Sequence, residues 1–334
     1  MKKNILFLIF FTVFSVSNIS SKENTQIKTN GGEIIHLSNL DYQDKNAKST
    51  VFFTSEITPE YLVKIFDALK WESTGKVGVK VSTGEPPKSN YLRPELIKNL
   101  VQKLNGTIVE CNTAYGGKRS SSEEHKKTAE KHGFTAIAQV DIQDESGDFV
   151  LTIKDGKRLK KNYVGKSFPD YGSYLVLSHF KGHAMAGYGG AIKNISIGMG
   201  SVTGKINIHS GGTSLTELWG GEQIAFCEAM AEAGKAVSDY LGNGKRIVYI
   251  NVMNRISIDC DCNGNPAEPD IHDIGIAASV DPVALDQACI DFVWDAKGNE
   301  TFRQRVESRS GLHTLEHAEK IGLGNRHYKL VLIK

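Results

Sequence analysis

Along the chain, short runs rich in β-branched and aromatic residues alternate with stretches whose apolar positions recur every three or four residues. The runs at 51–54, 76–81, 107–111, 136–140, 149–153, 174–178, 246–252 and 328–333 predict strands. Helical spacing predicts helices at 58–70, 93–104, 121–132, 215–241, 281–296 and 315–321. Some of these carry their own caps. Thr58-Pro59 and Asp281-Pro282 set a polar residue before proline at the first helical position, and Ser121 with Glu124 forms a capping box. Strands separated by helices of ten or more residues make βαβ units. Residues 50–334 therefore read as an α/β domain, with room for two lobes, built on a largely parallel sheet with flanking helices. Residues 22–48 read as a polar leader with one edge strand at 33–37. In such sheets ligands sit beyond the carboxyl ends of the strands, so residues just after strands carry most weight.

The first 21 residues bear on where the protein works. Lys2-Lys3 precedes an apolar stretch at 5–14, interrupted only by Thr12, and Ser15, Ser17, Ser20 and Ser21 follow. This is the pattern of a cleaved signal peptide, and its apolar part is too short to span a bilayer. A secreted or periplasmic protein with no stable membrane span after cleavage is expected. The chain carries 40 basic and 38 acidic residues, and removal of Lys2 and Lys3 balances them. A balanced chain lacks the basic footprint of a nucleic-acid binder, so no such partner is expected. Five cysteines (Cys111, Cys227, Cys260, Cys262 and Cys289) allow at most two internal bridges and make no dense disulfide framework.

Candidate chemistry is densest after the 174–178 strand. His179-Phe180-Lys181-Gly182-His183 leads into Ala186-Gly187-Tyr188-Gly189-Gly190-Ala191-Ile192-Lys193-Asn194, and His209 follows beside Gly211-Gly212. Glycines let backbone approach a ligand closely, and a helix opening after them would aim free N–H groups at an anion. A lysine desolvated among other cations loses its preference for the ammonium form, while a histidine moves protons near neutral pH. Gly198 to Ile206 imitates a phosphate loop, but Met199 and Ile206 replace its glycine and its metal-binding hydroxyl. A second cluster, Asp259-Cys260-Asp261-Cys262 with Glu268, Asp270, His272 and Asp273, has thiolates and imidazole suited to zinc. The same cysteines can instead close a disulfide or sit in a metal-free turn. His313 and His317 share a helical face and read as a solvated surface pair.

Residues 110–117, 178–194, 259–262, 273–276 and 281–286 together resemble the family called domain of unknown function 362. Some members of that family are described as iron–sulfur proteins. This chain lacks a Cys-x-x-Cys-x-x-Cys run, so a divalent ion is expected ahead of an iron–sulfur cluster. A more distant similarity, carried by His183-x-x-Ala186-Gly187-Tyr188-x-Gly190, Lys193 and His209, is to the nickel-pincer lactate racemase family. It implies a lactate-racemase-like fold in which Lys193 tethers a cofactor, His183 is a general base and His209 ligates metal. That family's second base histidine falls in a turn corresponding to 112–119, where this chain has none.

The combined expectation is a metal- or cofactor-binding crevice acting on a small anionic molecule by metal-assisted acid–base or redox chemistry. His183 and Lys193 are the candidate catalytic residues. His179, Gly187, Gly189, Gly190, Asn112 and Tyr115 are candidate cofactor contacts, and His209, Cys260 and Cys262 candidate metal ligands. Two other readings remain open: an electron-transfer protein using Cys260 and Cys262 as iron–sulfur or other metal ligands, and a non-catalytic binder of a small solute. Intact-mass measurement of the exported protein should show a chain beginning near residue 22; an exported chain retaining residues 1–21 would refute the cleavage.

Overall fold

The computed structural model describes residues 26–334, so the expected signal segment lies outside the described residues. In chain order the strands are β1 (Gln26–Lys28), β2 (Ile34–His36), β3 (Ser49–Thr54), β4 (Val77–Lys80), β5 (Thr107–Glu110), β6 (Val140–Ile142) and β7 (Asp148–Thr152). They continue as β8 (Lys161–Gly165), β9 (Ser173–His179), β10 (Lys181–His183), β11 (Gly187–Gly189), β12 (Ile247–Met253), β13 (Gly275–Ser279) and β14 (Tyr328–Leu332). The helices are α1 (Pro59–Ala68), α2 (Pro94–Lys103), α3 (Ser122–Lys131), α4 (Ala191–Lys193), α5 (Val202–His209), α6 (Gln223–Tyr240), α7 (Pro282–Asp295), α8 (Glu300–Ser308) and α9 (Leu312–Lys320).

An eight-stranded sheet of order β14-β3-β13-β12-β9-β4-β5-β6 forms the frame. Only β13 runs against its neighbours β12 and β3, and the other pairings are parallel. The fold is thus the expected α/β arrangement. Both faces are covered, which explains why the central strands read as unbroken apolar runs. Along β9, Tyr174 and Val176 pack with residues of α4, α6 and α7, while Leu175 and Leu177 pack with residues of α1 and α2. Strand β12 divides in the same way, Tyr249 to one side and Val248 and Ile250 to the other.

The sequence caps act as their chemistry dictates. Tyr61 N–H donates to the Thr58 hydroxyl, Glu124 N–H to the Ser121 hydroxyl, and Val283 and Ala284 N–H to Asp281. Other elements differ from the pattern. The helix expected from 215 starts at Gln223, because Gly220 takes a left-handed backbone and Glu222 then caps Ile224 and Ala225. The apolar run 136–140 spends its first residues in a tight turn, Phe134–Ala136, and pairs with β5 only from Val140. The polar leader contributes a hairpin, β1 with β2, whose Ile27 and Ile35 are buried in the same core as α7.

One long-range contact positions the glycine-rich turn. The α7 residue Asp286 is buried and accepts hydrogen bonds from Ala191 N–H (2.7 Å), Ile192 N–H (3.0 Å) and Asn251 Nδ2 (2.7 Å). A Cβ on Gly190 would stand 2.3 Å from an Asp286 carboxylate oxygen, so only glycine fits there. The N–H groups expected to receive an external anion are therefore already taken by the protein's own carboxylate. Burial raises that carboxyl to a pKa of about 6. Asp286→Ala would strand two buried N–H groups. It should lower the unfolding free energy by about 2–4 kcal/mol, and a urea midpoint unchanged from wild type would contradict this role.

Candidate functional site

Parallel strands deliver their carboxyl ends to one side of the sheet, and a cavity of about 400 Å³ opens there. Strand β4 supplies Lys80, β5 supplies Glu110, and β9 supplies His179. Immediately after β9 the chain turns back as the hairpin β10–β11, pairing Lys181 with Gly189 and His183 with Gly187. This hairpin sets Lys181 and His183 on the cavity, and α4 follows with Lys193. Lys205 and His209 arrive from α5, and Cys260, Asp261 and Cys262 from the loop after β12. A Cβ on Gly189 would lie 3.2 Å from Lys193 Cδ and 3.5 Å from Lys181 Cε, so the missing side chain lets two lysine stems pass.

Hydrogen bonds fix the three histidines in different states. His183 Nδ1 accepts from Met185 N–H (3.2 Å) and Ala186 N–H (2.9 Å), which leaves the ring proton of the neutral form on Nε2. His209 is the reverse: Nδ1 faces the Lys205 carbonyl at 2.7 Å and must donate, so the Nε2 lone pair stays free. His179 faces acceptors at both nitrogens, Asp261 Oδ1 at 2.7 Å and the Asn254 carbonyl at 2.6 Å. It is a brace for Asp261, with no nitrogen left over for a cofactor. Burial, with Lys193, His209 and Lys181 nearby, pushes His183 well below the ordinary histidine range. His209 falls to about 4, from burial first, with the Lys205 carbonyl opposing and Lys193 adding to the fall.

Positive charge dominates the lining. Lys80, Arg119, Lys181, Lys193 and Lys205 face the space, against two lining acids, Glu110 and Asp261, with Arg119 also paired at 3.1 Å to Glu85 outside the lining. Both acids are engaged: Lys80 Nζ lies 3.1 Å from Glu110, and Lys181 Nζ lies 3.1 Å from Asp261. Burial opposes the Asp261 charge, but Lys181 and His179 outweigh it and hold the carboxyl below its usual range. Lys193 Nζ makes no hydrogen bond or ion pair among the described residues. Desolvation first, then Lys181, lowers its pKa to about 7, with Asp261 opposing and Lys80 and Lys205 adding to the fall.

A family model described as domain of unknown function (DUF362) matches residues 77–291, which span the sheet's central strands and every cavity element named above. The chain belongs to the DUF362 family. Among solved structures, the DUF362 chain is similar to the lactate racemase apoprotein from Thermoanaerobacterium thermosaccharolyticum, at 14% identity and a TM-score of 0.41 over 80% of this chain and 61% of that one. It is also similar to a Thermotoga maritima protein, at 12% identity and a TM-score of 0.40 over 74% of this chain and 58% of the other. The chain thus spans about three fifths of the length of these structures. No curated protein matches it.

In this DUF362 protein His179, His183, Lys193, His209, Gly189, Gly190, Tyr115, Cys260 and Cys262 all line one cavity. Asn112 does not; its side chain is spent on Ser122 (2.8 Å) and His125 (3.3 Å), tying the loop after β5 to α3. Nor does Gly187, whose left-handed backbone closes the hairpin against Val306 and Gly311. His183, Cys260 and Cys262 hold ligand atoms within 4.8 Å of one another, a spacing compatible with metal binding. The two sulfurs are joined in a disulfide, so in this state neither is a thiolate ligand. The reading of His313 and His317 as a solvated pair is corrected: His317 is 5% exposed and meets Glu232 at 3.2 Å, while His313 meets Glu228 at 3.4 Å. Lys80 and Lys205 carry no sequence signal as site residues, because each looks like a surface cation until the fold turns it inward. Asp261 had one visible sign, its place between two cysteines. An amine-acylating reagent should label Lys193 half-maximally near pH 7, well below the range of ordinary lysines. Peptide mass mapping across a pH series checks this, and a midpoint shared with surface lysines would sink it.

Proposed function

We propose that this DUF362 protein is exported, and that its cavity binds a small anionic molecule on which it performs metal-assisted acid–base chemistry. The observation that carries the reading is the cationic surplus around Lys193, whose amine forms no ion pair among the described residues. A buried ammonium without a partner is costly, and an anionic ligand beside Lys193 would relieve that cost. Export is supported by the N-terminal pattern and by a disulfide, a bond favoured in oxidising compartments.

Roles follow from protonation states. With its Nδ1 occupied by two backbone amides, His183 offers Nε2–H as a donor to a ligand oxygen. The proton-accepting role expected of His183 therefore passes to Lys193, which is half neutral near pH 7 and becomes more so as pH rises. The same neutral amine is a nucleophile suited to covalent attachment of a cofactor. His209, with a free Nε2 lone pair and Nδ1 anchored on its own helix, fits a metal ligand. A divalent ion held there would polarise ligand oxygens as a Lewis acid. Lys181 and Arg119 steady the ligand's negative charge.

Thermal melting and elemental analysis on the same preparations test this reading. Oxalate and phosphate at about a hundredfold over their dissociation constants should raise the melting temperature by about 5–10 °C, acetamide should not, and Lys193→Met should lose the effect. Bound metal should fall in His209→Ala and persist in Cys260→Ser. Absence of any anion-dependent shift would overturn ligand binding, and the opposite metal pattern would move the ion to the cysteine pair.

A further inference from the structure

The Cys260–Cys262 disulfide encloses a single residue, Asp261. A cross-link stabilises a fold chiefly by restricting the unfolded chain, an effect that shrinks as the closed loop shortens. This one closes so short a loop that stabilisation is a poor reason for it. It belongs to no wider framework either, since Cys111, Cys227 and Cys289 are buried free thiols. Its location is more informative: both cysteines line the cationic cavity, Cys260 5% exposed and Cys262 more open.

We propose that Cys260–Cys262 is a thiol–disulfide exchange centre whose substrates are small thiols bearing carboxylates. Cys262, the more open residue, carries the sulfur that an incoming thiolate attacks. Attack forms a bond between the substrate sulfur and Cys262 Sγ while the Cys260–Cys262 bond breaks, and Cys260 leaves with the electron pair as a thiolate. The Cys262 N–H, which already donates to Cys260 Sγ at 3.2 Å, is in place to stabilise that leaving group. A second small thiolate then attacks the substrate sulfur, releasing Cys262 as a thiolate and a small disulfide. In sum, two small thiols are oxidised to their disulfide and the protein pair is reduced to the dithiol. The reverse exchange with a small disulfide restores the oxidised pair.

Three features favour the reduced form. A ring nitrogen of His183 lies within 4.8 Å of both sulfurs, and Nε2 carries that ring's proton. Lys181 balances the carboxylate of Asp261, the residue between the two cysteines, which would otherwise repel a thiolate. The surplus of cavity cations favours thiolates over thiols and favours carboxylate-bearing substrates over neutral ones. The inference goes beyond the proposed acid–base function, because exchange uses neither Lys193 as a proton acceptor nor a metal on His209.

The test uses the full folded chain and two probes, mercaptoacetate and the neutral thiol 2-mercaptoethanol, followed by acid quench, alkylation and peptide mass analysis. Mercaptoacetate should reduce the pair at least about tenfold faster than 2-mercaptoethanol at equal thiolate concentration, with the advantage shrinking at high salt. Cys260→Ser treated with the disulfide of mercaptoacetate should gain one carboxymethylthio group on Cys262, as a mixed disulfide, with release of one mercaptoacetate. Equal rates for the two thiols would overturn the carboxylate preference. A pair reduced only under unfolding conditions, or a Cys260→Ser chain that gains no adduct, would overturn the exchange centre. Anion-induced melting shifts can fail while exchange with both thiols persists, so the two proposals fall separately.

Discussion

Several ammonium groups share one poorly hydrated space at the carboxyl ends of the strands, and the local architecture is organised around that repulsion. Lys80 is fully buried and is tolerated because Glu110, Asn194 and the Val81 carbonyl surround its amine. Lys181 has Asp261 and the His179 carbonyl. Lys205 has the Gly200 carbonyl. Lys193 alone among these four makes no such contact among the described residues, and it responds by favouring the uncharged form. The lowered pKa of Lys193 is thus the remainder of an electrostatic problem solved elsewhere.

Holding that arrangement requires carboxylates in supporting places. Asp286 reaches from α7 to the first amides of α4 and so sets where Lys193 begins. Beyond Lys193 the helix widens into a π-helical stretch, Asn194–Gly198, whose first residue binds Lys80 and Ser178. Such stretches recur at functional sites because they redirect side chains without ending the helix. The same economy appears between α6 and α9, where Glu228 and Glu232 meet His313 and His317 in a partly buried polar layer.

Much of this was legible from residue order. Strand–helix alternation announced the sheet, and the dense stretch after the 174–178 strand announced the cavity, because strand ends are where parallel sheets expose chemistry. Lys193, His183 and His209 do share that cavity. What stayed hidden depends on contacts distant along the chain. Asp286 lies 95 positions from the amide it satisfies, and no local pattern reports such a pairing. The proton position on His183 depends on how the backbone turns at Met185 and Ala186, so a histidine that reads as a base on paper becomes a donor in the fold. The solvated reading of His317 failed for a related reason, since the helix it faces is far away in sequence.

The reversed strand β13 has a consequence of its own. Because β12 and β13 are antiparallel neighbours, Met253 and Gly275 are register partners at the cavity end, and the segment 254–274 leaves and returns at adjacent points. No crossover helix is committed to it, and the closure entropy of such a loop changes only slowly with its length. The sulfur-bearing wall is therefore a loop clamped at both ends by the sheet. Its length can change without altering the strand order, whereas Asp261, which balances Lys181 and binds His179, ties it to the lysine-lined walls.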